Sequence, residues 1–145
     1  MIKYENSIII DAKPSEVFDI FMSNAKNDFN KLNVNNPVGT KVSKEVNRDY
    51  KDKKKSIYET EITSFKKNKI YEVTFRNPKQ IFISRYNLES LPEGQTKLTL
   101  IEKFINVQNN NHLLDKMTHF LYKGQVKRRF SSIVKQICED LNIAQ

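Results

Sequence analysis

The stretch that decides the fold is HLLDKMTHFLYKGQVKRRFSSIVKQICEDLNIA, residues 112–144. It holds no proline. Its apolar residues recur at Leu113, Leu114, Met117, Phe120 and Leu121, then at Phe130, Ile133, Val134, Ile137 and Leu141. Spacings of three and four mark one face of an α-helix. Asn109, Asn110 and Asn111 supply an N-cap. At a rise of roughly 1.5 Å per residue, such a helix is a rod of about 45 Å. A rod of that length must lie on a broad apolar surface, and the rest of the chain supplies one as a sheet.

Working outward from the rod, residues 96–105 alternate, with Leu98, Leu100, Glu102 and Phe104 on one face. Residues 81–88 set Phe82, Ser84, Tyr86 and Leu88 together, and residues 70–76 do the same for Tyr71, Val73 and Phe75. Residues 56–65 hold Tyr58, Thr60 and Ile62 on one face, and residues 41–49 alternate weakly, as an edge strand does. Short turns at Asn68, Asn77-Pro78 and Pro92-Glu93-Gly94 separate these runs. Period two broken by turns at such intervals describes an antiparallel meander. Ahead of it, residues 2–10 read as a strand. Pro14 and Glu16 then suit the first turn of a helix striped by Val17, Phe18, Phe21, Met22, Ala25, Phe29 and Leu32. The fold class is α+β, with six antiparallel strands in the order β-α-β-β-β-β-β-α, and residues 1–145 read as a single domain.

Charge and cysteine content narrow the function classes. The net charge is +8, carried by 20 lysines and only 5 arginines. Readers of specific nucleic-acid sequence lean on the arginine fork, so this surplus points to solubility or to weak attraction to an anionic surface. The basic runs at Lys51, Lys53, Lys54 and Lys55 and at Lys123, Lys127, Arg128 and Arg129 carry no interleaved aromatic residues for base stacking. Three consecutive cations at 127–129 sweep about 200° of a helix, so at least one turns inward. A lone Cys138 allows no disulfide within the chain. MIKYENSIII carries no signal-peptide pattern, and no apolar run is long enough to span a membrane, so the expectation is a cytoplasmic protein.

Two stretches carry a resemblance. Ala12-Lys13-Pro14-Ser15-Glu16-Val17-Phe18 resembles the start of the first helix in START-type helix-grip proteins. Arg85-Tyr86-Asn87-Leu88 with Gly94-Gln95-Thr96-Lys97-Leu98-Thr99-Leu100 resembles the last hairpin of the same START-type, polyketide cyclase-like (SRPBCC) superfamily. The tail around Leu121-Tyr122-Lys123 and Lys127-Arg128-Arg129-Phe130 is similar to a small family of uncharacterised Gram-positive bacterial proteins. The resemblance implies a curved sheet gripping the long helix, with a cavity between them. The glycine-rich loop of plant members has no counterpart in Asp49–Lys55.

Candidates for chemistry are few. His112 and His119 lie seven apart, with Asp115 four before His119, and no cysteine pair accompanies them, so neither a metal nor a cofactor is expected. No Gly-x-Ser-x-Gly elbow is present, and no catalytic residue is assigned. Glu102 shares a face with Leu98, Leu100 and Phe104, where a carboxylate is costly unless paired. It sits either at a wet rim or beside Arg85, and the latter needs a bulge. The cavity-lining candidates are Phe21, Tyr58, Tyr71, Phe75, Phe82, Tyr86, Glu102, Phe104, Met117 and Leu121.

Three functions fit these observations. One is a domain that binds a hydrophobic or lipid-like small molecule. Another is a cyclase- or dehydratase-like enzyme, which needs polar side chains converging in the cavity. The third is a basic module on an anionic membrane surface or nucleic acid, which predicts a steep salt dependence. The first is the main expectation. Oligomeric state is not legible in the sequence.

Overall fold

Each alternating run becomes a strand in the computed structural model. It describes residues 1–47, 55–107 and 112–144, and the side chains of 1–46, 55–107 and 122–144. The elements are β1 (Ile2–Ile10), α1 (Pro14–Asp28), β2 (Lys41–Asn47), β3 (Lys55–Lys66), β4 (Ile70–Arg76), β5 (Gln80–Leu91), β6 (Gln95–Asn106) and α2 (His112–Leu141). The strands form one antiparallel sheet in the order β1-β6-β5-β4-β3-β2, curved toward the C-terminal helix, as the period switch predicts. No helix among the described residues is long and apolar enough to cross a membrane.

Local chemistry fixes the ends of α1. Pro14 opens it, and the Lys13 backbone N–H donates to Glu16 Oε2 at 2.9 Å, satisfying one donor of the first turn. The helix stops at Asp28, before the expected apolar stripe ends. Phe29 has extended backbone, with its N–H closing on the Ala25 carbonyl at 2.8 Å. Phe29 and Leu32 reach the core from the following loop instead. The Thr96 hydroxyl donates to the Ala12 carbonyl at 2.6 Å in a buried contact, tying the start of α1 to β6.

The core lies between the concave face and the two helices. Val17, Phe18, Phe21, Met22 and Ala25 of α1 meet Ile62, Tyr71, Leu88, Leu98 and Leu100 of the sheet. On α2 the buried stripe is Val126, Phe130, Val134 and Ile137, joined by Cys138, whose thiol burial pushes up in pKa. Val126 is absent from the sequence-based stripe. Leu113, Leu114, Met117, Phe120 and Leu121 fall outside the described side chains, as do His112, Asp115 and His119, and the asparagine cap falls outside the described residues.

Among the described strands, strict alternation fails once. The β3–β4 register slips between Ile62, opposite Val73, and Ser64, opposite Glu72. Thr63 is the extra residue of this bulge. Its hydroxyl donates to Glu72 Oε1 at 2.7 Å and lies 2.8 Å from the Thr74 hydroxyl. Unbroken alternation would leave Phe65 on the convex face. The bulge turns it inward, edge-on to Phe18 at 5.4 Å between ring centres.

Candidate functional site

Cross-strand pairing lays the inward side chains in rows. Thr60, Phe75, Phe82 and Phe104 form one row, and Ile62, Val73, Ser84, Glu102 and Tyr4 the next. Phe65, Tyr71, Tyr86 and Leu100 form a third. Phe21 of α1 comes down over the third row. Its ring centre lies 4.6 Å from that of Tyr86 and 6.2 Å from that of Tyr71, and the two tyrosine rings stack at 6.3 Å.

Between these rows, the C-terminal end of α1 and residues 133–137 of α2 lies a cavity of about 540 Å³. That volume falls in the range of small-molecule sites, roughly 300–1,000 Å³. The floor is Thr60, Tyr71, Val73, Ser84 and Tyr86, and the roof is Phe21, Ala25, Phe29, Ile133 and Ile137. Asn24, Asp28, Val42 and Gln136, all exposed, stand round the mouth. Neither tyrosine hydroxyl is hydrogen-bonded to a described residue. No buried side-chain oxygen among those residues lacks a partner, so both hydroxyls open on the free space.

The two phenols are held neutral. Burial, and then the carboxylate of Glu102, push Tyr86 up to about 12 against the opposing pull of Arg129. Burial, then Asp28, then Tyr86 raise Tyr71 still further. Such hydroxyls can donate a hydrogen bond to a ligand across the physiological range and are poor bases there. The sign of the linked stability follows. Below pH 10.0, the ordinary phenol value, folded and unfolded chains both keep the Tyr86 proton. Between 10.0 and about 12 only the unfolded chain releases it, so stability falls as pH rises through this window. Tyr86→Phe is expected to flatten that alkaline loss in denaturation curves and to remove a late-ionising phenol from an ultraviolet titration. An unchanged titration would contradict the burial of this hydroxyl.

Of the sequence-predicted residues, Phe21, Tyr71 and Tyr86 line this cavity, and Tyr58, Phe75, Phe82, Glu102 and Phe104 do not. Met117 and Leu121 lie outside the described side chains. Phe82 and Phe104 pack on each other at 4.5 Å, and Tyr58 and Phe75 meet edge-on at 5.9 Å, away from the cavity lining. Glu102 is not a wet rim residue. It is 1% exposed and accepts from Arg129 of α2, through Nη2 to Oε2 and through Nε to Oε1 at 3.4 Å. Arg129 also stands over the Phe82 ring, 5.2 Å from its centre. Arg85 is not the partner, because β6 keeps its alternation. Arg85 stays on the convex face and donates from Nε to Glu72 Oε2 at 2.7 Å. The member of the 127–129 run that reaches inward is therefore Arg129: all three side chains are exposed in part, Arg129 at 45%, but its guanidinium is the one that meets Glu102.

Sequence reasoning missed Asn24, Asp28 and Gln136 at the mouth and gave Thr60 and Ser84 no role. A signal existed for the first two. Positions 21, 24, 25 and 28 share one helix face, so Asn24 and Asp28 interrupt the apolar stripe of α1. No group of three or more acidic, histidine or cysteine side chains among the described residues could hold a metal ion.

A six-stranded antiparallel sheet curved about a long C-terminal helix, with a hollow beneath α1, defines the helix-grip class. Within it, the chain belongs to the family described as Domain of unknown function (DUF3284), whose model matches residues 6–123. No curated protein matches the sequence. Among solved structures the chain is similar to Ara h 8.0201, at 17% identity and a TM-score of 0.60, over 94% of each chain. It is similar to a conserved protein from Geobacillus kaustophilus, at 17% identity and a TM-score of 0.59, over 95% of this chain and 96% of the other. It is also similar to Aha1 from Colwellia psychrerythraea, at 12% identity and a TM-score of 0.55, over 94% of this chain and 93% of the other. At such identities the likeness speaks for the fold.

Proposed function

We propose that this chain binds an apolar or amphipathic small molecule in the cavity between sheet and helices, without turning it over. The observation that carries this reading is a hollow of about 540 Å³ whose wall combines four aromatic rings with two hydroxyls that no described residue engages. Burial of apolar surface supplies the affinity, at about 25 cal/mol per Å² less the cost of ordering the ligand. Tyr71 and Tyr86 orient it, as the few polar groups of an apolar pocket do. The resemblance to START-type and cyclase-like domains supports the same reading, and a lipid-like body fits the walls.

The neutral dye N-phenyl-1-naphthylamine is expected to brighten on binding the folded protein. Ser84 is a small, half-buried side chain on the cavity floor. Ser84→Leu should fill the space and weaken dye binding by roughly tenfold, the worth of about 1.4 kcal/mol of lost contacts, while the variant's circular dichroism stays that of the parent. Equal binding by parent and variant would refute the cavity as the site.

A further inference from the structure

We propose that the guest of this cavity is an amphipathic organic cation, with its ammonium group held at the mouth by Asp28 and its apolar body among Phe21, Tyr71 and Tyr86. This rests on the reading of the cavity as a binding site. Asp28 is the last residue of α1 and lines the cavity. A helix C-terminus carries partial negative charge, so the carboxylate and the helix end act together to favour a cation. Among the described residues no lysine or arginine pairs with Asp28, whereas Glu59, Glu61, Glu72 and Glu102 are all engaged. Its field reaches the interior, since Asp28 is the second cause of the raised Tyr71 phenol. Tyr71 is only 6% exposed and lines the same space, and its hydroxyl has no partner among the described residues.

Of the other charges near the site, Lys44 opposes this preference: it lies two residues from Val42 on the concave face of β2, but it does not itself line the cavity. Arg129 is committed to Glu102. Lys26, two residues before Asp28, points about 200° away round the helix. The three ring faces attract a cation as well. The net charge of +8 works the other way and repels cations at long range, but salt screens that field beyond about 10 Å. Asp28 is the one charged side chain among the described residues that line the cavity.

Three probes with one ring system and different heads test this: 2-naphthylmethylammonium, 2-naphthylmethanol and 2-naphthoate, titrated by calorimetry into the full chain. The ammonium is expected to bind at least about fivefold more tightly than the naphthoate, the worth of one close charge in a wet site. Asp28→Asn should reduce the ratio of ammonium to alcohol affinity by a similar factor. Asn24→Asp, which adds a second carboxylate on the same helix face, should raise that ratio. If the alcohol binds but the ammonium is not preferred, or if neither variant moves the ratio, the cationic-guest proposal is overturned and the cavity reading stands. If none of the three probes binds, the cavity reading falls, and the proposal falls with it.

Discussion

Phe18→Ala is expected to destabilise the fold by about 4 kcal/mol, the usual cost of removing a large ring from a packed interior. Phe18 is 1% exposed, lies in the main core and meets the Phe65 ring edge-on at 5.4 Å. It is a principal link between α1 and the sheet. Its loss leaves a void that Phe65 cannot fill, because the bulge at Thr63 fixes where that ring points. Lys123→Ala, on the exposed side of α2, should cost less than about 0.5 kcal/mol. The comparison is made by the midpoints of urea denaturation. Similar shifts for the two variants would mean that α1 does not pack as described.

The second large effect is expected at the ion pair. Arg129→Ala should cost about 3 kcal/mol, because it strands the Glu102 carboxylate in the apolar concave face. The two positions can be separated by a double change. Replacing both residues, as Glu102→Leu with Arg129→Leu, removes the stranded charge and should recover much of the loss, since the carboxylate is the buried member of the pair. A double variant as unstable as Arg129→Ala alone would show that the arginine acts through packing on Phe82 rather than through charge.

How far these features can be read in the sequence depends on the range of the interaction that fixes each. Element order and strand faces follow from local alternation, and the turns at Asn68 and Glu93-Gly94 take the left-handed backbone that punctuates it. The bulge carries no glycine or proline as a marker. It is held by the Thr63 hydroxyl reaching Glu72 and Thr74 across the strand pair. The partner of Glu102 depends on the curvature of the sheet and the rotation of α2. Periodicity could say that one of residues 127–129 turns inward, but not which, nor what it meets. The site was legible as a face and not as a volume. Phe21, Tyr71 and Tyr86 line the free space while Phe82 and Phe104 do not, a difference that alternation along a strand does not encode.

The two ends of the strand order have a consequence for behaviour in concentrated solution. β1 and β2 are the outermost strands, and a bare strand edge is a template on which another chain can polymerise. β2 carries Lys41, Lys44 and Glu45 within seven residues, and Lys44 lies opposite Tyr58, on the concave side. A strand added from a second molecule would have to strip the water from that lysine with no acid in register beside it. The residue that spoils the alternation of β2 in the sequence thus disfavours strand addition at that edge.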